Sequence, residues 1–304
     1  VKKQGYIEAL WQRNESGFII TVGTHTALSL GWHETFLEIK EKANTLEQLY
    51  CENNVSLPST CDLSRLIADA KLISDSLLQS PTGRIPIRLV YSAAHFNRIA
   101  DVLIPLRGTP DCARFLPKFR SGTLDLFKRE RSFAKNVLWE LEMSLLLRTR
   151  AFDVSFAEPD IVTNLEGVKI AIACKKLYSD KHIQNVLSEA VQQIESSFDL
   201  GIVALNLDDL VPANSTLEAQ TLYLAERKLI EMNNSFLARH DRHFRKYLAS
   251  GRLLSVFVST GVVVEIAGPD CRVHNVRRSS IWTIQGLPIE KEEQLRKFYE
   301  RLML

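Results

Sequence analysis

Three polar residues and one small one set out the chemistry of this chain. Asp160 closes the run Glu158-Pro159-Asp160, and Lys175 stands two residues after Ala173 in Ile170-Ala171-Ile172-Ala173-Cys174-Lys175-Lys176. Between the runs lies Glu166-Gly167, a dipeptide suited to a tight two-residue turn. A turn there opposes Leu165 to Val168, and stepping back along both strands opposes Asp160 to Ala173. Side chains on a strand alternate with a period of two, so Ala173 and Lys175 share the face on which Asp160 projects. The spacing therefore aims a carboxylate and an ammonium at one spot, with Ala173 between them. Glu140, in Trp139-Glu140-Leu141, can add a second carboxylate from the preceding helical stretch, with Glu142 as the other candidate. Carboxylates that gather Mg²⁺ beside a lysine are what metal-dependent phosphodiester cleavage needs. The ion polarises the phosphate and activates water, and the ammonium stabilises developing charge.

These residues resemble the PD-(D/E)xK superfamily, the restriction-endonuclease-like nucleases. That family's pattern is a helical Glu, a Pro-Asp on one strand, (Asp/Glu)-x-Lys on the next, and often a later helix bearing Gln. The resemblance gives Glu140 the helical position, Asp160 the metal-binding Asp and Lys175 the catalytic lysine. Gln193, in Ala190-Val191-Gln192-Gln193-Ile194, takes the later glutamine. Ala173-Cys174-Lys175-Lys176-Leu177 is similar to the Glu-Cys-Lys-Arg form of the motif, with Ala173 where the metal-binding Glu belongs. The matched stretch is residues 131–265.

The resemblance implies an α/β protein with a restriction-endonuclease-like mixed sheet flanked by helices. It implies Mg²⁺ (or Mn²⁺) held at Asp160, at position 173 and on the Cys174 carbonyl, and nucleic acid, DNA rather than RNA, as substrate. By analogy with the family, the setting is bacterial restriction or antiphage defence, with a protein partner encoded alongside. Lacking the carboxylate at Ala173, the chain as given is expected to be inactive. Either the alanine is a change made to silence a toxic nuclease, or the chain is a naturally degenerate copy. The survival of every neighbouring element, Lys175 included, favours the first. The alternative function is a catalytically dead nuclease-fold module that binds nucleic acid or a partner protein.

Apolar spacing predicts helices over residues 34–50, 62–78, 89–106, 131–150, 179–197, 217–247 and 289–304. A strand or hairpin is expected over 18–30 and strands over 152–156, 160–164, 168–174 and 201–207, with a late pair at 253–258 and 262–266. Pro81, Gly83 and Pro86 mark a loop, and residues 108–117 read as irregular. From residue 131 the order is α-β-β-β-α-β, a mixed sheet with helices on both faces. Residues 1–130 are expected to form an N-terminal mixed α/β domain or extension of unassigned role, and 131–304 the nuclease-like domain.

Bulk properties exclude more than they assign. The chain has 304 residues, 45% apolar and 24% charged, as an ordinary globular protein does. A net charge of +2 carries no nucleic-acid signal, so any such signal must be local. Lys176 beside the motif, and Arg242, Arg245 and Lys246 on a basic helix, are the candidate phosphate contacts. Lys118, Arg120, Lys128, Arg129, Arg131 and the pair Arg277-Arg278 are further basic positions. His240 and His243 have a spacing that two metal ligands could use, but no third ligand is evident. The five cysteines form no CxxC pair, which fits a reducing cytoplasm. Val1 in place of methionine suggests a chain that begins inside a longer one. The longest apolar stretch, 253–268, is β-branched and interrupted, so no membrane role is expected. No P-loop or dinucleotide fingerprint occurs, which disfavours an ATPase or a dehydrogenase.

Overall fold

Apolar residues at helical spacing build the first layer of the protein. The computed structural model describes residues 10–14, 17–26, 34–79, 86–213, 215–267 and 272–303. After β1 (Leu10–Asn14) and β2 (Gly17–Thr26) come α1 (Glu34–Glu52), α2 (Asp62–Gln79) and α3 (Ile87–Leu103). Ile39, Ala43, Leu46 and Leu49 fall on one stripe of α1 and pack against Leu63, Ile67 and Ala70 of α2 and Phe96 and Ile99 of α3. The stretch read as irregular contains a short helix, α4 (Asp111–Phe115), followed by a 3₁₀ turn at Leu116–Phe119. Residues 80–85, most of the expected loop, lie outside the described residues.

The second half follows the expected order. α5 (Phe133–Thr149) is followed by β3 (Asp153–Phe156), β4 (Ile161–Leu165), β5 (Val168–Lys176), α6 (Ile183–Glu195) and β6 (Gly201–Asn206). Glu166 and Gly167 both have positive φ, 53° and 87°, the combination that a type I′ hairpin turn requires. The turn sets the register. Leu165 pairs with Val168 and Ile161 with Ile172. β6 then runs parallel to β5, with Ala173 beside Val203.

Two late expectations fail. The stretch 217–247 divides into β7 (Leu217–Ala219) and α7 (Leu222–Ala249), because three residues are too few to show an alternating pattern. The strand pair expected at 253–266 is one strand, β8 (Ser255–Ile266), and its partner is β9 (Arg272–Trp282). Gly261 makes no turn. It pairs with Arg277, and a Cβ there would sit 2.7 Å from the Arg277 guanidinium. This glycine gives an arginine room to cross the strand. α8 (Ile289–Met303) closes the chain.

Among the described residues the strands form one mixed sheet in the order β1-β2-β9-β8-β6-β5-β4-β3, with β7 pairing β8. Strand pairing and the apolar core both cross residue 130. β2 pairs with β9, and Ala134, Val137, Leu138 and Leu141 of α5 belong to the core of the N-terminal helices. On its other side α5 lies on the sheet, where Trp139 Nε1 donates to the Ala204 carbonyl at 3.0 Å. α7 covers the opposite face, with Phe244 6.1 Å from Trp282 between ring centroids. No helix among the described residues is long and apolar enough to cross a membrane.

Candidate functional site

The site forms where β4 stops and β5 continues. Ile161 is the last paired residue of β4, so Asp160 is the first whose backbone leaves the ladder. Backbone groups on a strand alternate between its two neighbours, so Cys174 turns its amide and carbonyl toward the vacated edge. Asp160 Oδ2 accepts the Cys174 amide at 2.7 Å, replacing the lost strand partner. The carboxylate is thereby held at the level of Ala173, as the hairpin register predicts.

Side-chain direction sorts the rest. Ala173, Val203, Val256 and Trp282 form one row across four strands and face α6 and α7. Lys175 shares that face, and its Nζ donates to Gln193 Oε1 of α6 at 2.7 Å. The neighbouring row, Cys174, Ala204 and Phe257, faces α5. Glu140 lies on α5, on the other face of the sheet, within electrostatic reach of Asp160 and Lys175 at this edge. The structure thus brings together Glu140, Asp160, Lys175, Gln193 and the Cys174 backbone, with fully buried Ala173 among them.

The electrostatics agree with that convergence. Burial pushes the Glu140 carboxyl up to about 7, and the nearby Asp160 charge adds to the shift against Lys118, Arg114 and Lys175. Burial likewise pushes Asp160 up to about 6, opposed by Lys175 and the Cys174 amide. The Cys174 thiol is raised well above its ordinary value by burial, then by Asp160 and Glu140. Two partly protonated carboxyls beside a lysine at a sheet edge are a perturbed cluster of the kind that marks functional sites. Comparison of the chain with models of known protein families, with curated proteins and with solved structures finds no match.

Several expected residues lie elsewhere. Lys176 is no phosphate contact. Strand parity turns it away from Lys175, and its side chain is only 2% exposed. It bonds Asn206 Oδ1 at 2.8 Å and lies 3.4 Å from Asp209. Arg242, Arg245 and Lys246 sit on α7. Arg245 is paired with Asp241 and lies over Trp282, three strands from Ala173, roughly 14 Å at one strand spacing per step. His240 is buried against Phe236 and Phe244, with Asp180 Oδ2 4.0 Å from its Nε2, and no group of three His, Cys, Asp or Glu able to hold a metal occurs among the described residues.

Glu142 is claimed by a buried ion network that no local sequence pattern announces. Arg98 of α3 pairs with both Glu142 and Asp208, and Arg277 of β9 pairs with the same two carboxylates. Burial alone would raise Asp208, but Arg277, Arg98 and Lys176 hold it well below the usual carboxylate range. Arg278 faces the other side of the sheet and pairs with Glu226 of α7. The Arg277-Arg278 pair therefore ties layers together and offers nothing to phosphates. A cavity of about 200 Å³ beside this network is lined by Arg98, Trp139, Glu142 and Arg277, and Asp160 is not part of its wall. Sequence reasoning missed Arg114 near Glu140, and it marked Lys118 only as one of several basic positions.

Proposed function

We propose that this chain carries the framework of a metal-dependent nuclease of the PD-(D/E)xK type, silenced at Ala173. The observation that supports the reading is the convergence of Glu140, Asp160, Lys175 and Gln193 on the edge where β4 leaves β5. Four residues from two helices and two strand ends, in the family's order, flank one edge of the sheet. Each alone has an ordinary structural explanation: a strand-entry aspartate, an edge lysine, a helix-surface glutamate and glutamine. Their meeting does not.

The donors suit a hard, oxygen-seeking cation incompletely. Asp160, Glu140 and the Cys174 carbonyl offer oxygen, and an acid at position 173 would complete the set for Mg²⁺ or Mn²⁺. Such an ion, when bound, polarises a phosphodiester and lowers the pKa of water. The chain's own groups do the rest. Glu140 and Asp160 would hold such a cation as carboxylates, and Gln193 holds the Lys175 ammonium in place. The ammonium offers positive charge to the attacking oxygen.

The alanine itself favours a second reading, in which the site binds nucleic acid without cutting it. Calorimetric titration with Mn²⁺ separates the two. Ala173→Glu or Ala173→Asp, confirmed folded by circular dichroism, should gain a cation site that Asp160→Asn removes. Folded variants that bind no cation would favour the binding module.

A further inference from the structure

The edge of the candidate site is bordered by a segment from the N-terminal helical unit. α4 and the 3₁₀ turn after it press against β3, with the Phe115 and Phe156 rings 4.5 Å apart between centroids. Arg114 Nη1 donates to the Phe156 carbonyl at 2.8 Å, and its guanidinium lies 5.2 Å above the Phe115 ring. Lys118, one turn further on, has its Nζ 4.7 Å from the Phe115 centroid and 5.7 Å from that of Phe133. Neither Arg114 nor Lys118 makes a close ion pair with a carboxylate among the described residues, although both act electrostatically on Glu140.

Phe133, at the start of α5, is 61% exposed. It is seven residues before Glu140, so the two share one face of α5, roughly 10 Å apart along the axis. Lys118 also acts electrostatically on both Glu140 and Asp160. An exposed ring with a cation against it, two turns along α5 from Glu140, serves no purpose in the core. Cations beside an open aromatic face are what proteins use to hold a single nucleic-acid strand: charge tracks the phosphates and the ring takes an unstacked base.

We infer that Arg114, Lys118 and Phe133 form the strand-holding edge of this site, gripping a single-stranded nucleic acid with phosphates on the two cations and a base on Phe133. The inference rests on reading the site as a nucleic-acid site, and it assigns the N-terminal unit a part in substrate binding.

The test uses the full chain in EDTA and a fluorescein-labelled single-stranded DNA 20-mer, read by anisotropy from 50 to 300 mM NaCl. Lys118→Glu should weaken binding at least tenfold and lower the salt slope by about one unit. Phe133→Ala should weaken it by roughly 5- to 100-fold with the slope unchanged, because stacking releases no counter-ion. Arg242→Glu, on the α7 surface, should change it less than either. All three positions are at least partly exposed, so the variants keep the fold. Absence of binding at 50 mM NaCl, or a loss confined to Arg242→Glu, would overturn the inference. The assay contains no metal and needs no cleavage, so it stands or falls apart from the nuclease reading. An Ala173→Glu protein that never cuts, while Lys118→Glu and Phe133→Ala still lose the strand, defeats the nuclease reading alone.

Discussion

Lys175 donates to Gln193 across the gap between β5 and α6 at 2.7 Å, joining the motif's lysine to a helix that begins eight residues later. The bond makes Gln193 a positioning residue for the ammonium. In an Ala173→Glu background, Gln193→Ala should lower the cleavage rate by about 10- to 100-fold. Cation affinity measured by calorimetry should stay within about twofold. A parallel loss of cation affinity would place Gln193 among the metal's supports and contradict this assignment.

The raised carboxyls predict a pH signature. In the unfolded chain both ionise near about 4, whereas burial in the fold pushes Glu140 up to about 7 and Asp160 to about 6. Between those limits the folded protein holds protons that the unfolded chain has released. These two groups therefore cost stability as pH rises from about 4 to about 7. Glu140→Gln should raise the melting temperature at pH 8 by about 2–5 °C and leave it nearly unchanged at pH 4.5. A difference that does not vary with pH would contradict the assigned environment of Glu140.

The ion network predicts where the fold is fragile. Arg98 is nearly buried and serves two carboxylates, so Arg98→Ala leaves Glu142 and Asp208 one guanidinium short. Removing one partner of a buried pair costs about 3–5 kcal/mol. Urea denaturation should show a loss of that size, against less than about 0.5 kcal/mol for Arg242→Ala on the surface of α7. Equal effects would mean that Arg277 alone satisfies both carboxylates.

What was legible in the sequence had a local physical cause. The Glu166-Gly167 turn admits few geometries, so the register placing Asp160 at Ala173 follows from counting residues. Parity separates Lys175 from Lys176, but only once the covering layers are known. With α5 on one face and α6 on the other, one lysine meets Gln193 and the other Asp209. Arg277 and Arg278 were misread for the same reason: the sheet is covered on both faces, so alternation buries both. The strand pair expected at 253–266 is one strand, because the reason for Gly261, the Arg277 side chain, lies on a strand sixteen residues later. Arg98 joins Glu142 and Asp208, 44 and 110 positions away, which no local pattern records.

The central claim is that Ala173 occupies the place of a metal-binding acid between Asp160 and Lys175. It is tested by cleavage of plasmid and linear DNA by Ala173→Glu protein in Mg²⁺ or Mn²⁺, with EDTA as control. Ala173→Asp serves as a second form in case the longer side chain unfolds this fully buried position. Loss of a member of a catalytic unit commonly costs several orders of magnitude. The account predicts cation-dependent cutting absent from the parent chain, abolished by EDTA and by adding Lys175→Ala. Folded variants of both kinds that leave DNA intact in both cations, or cutting that persists without Lys175, would contradict it.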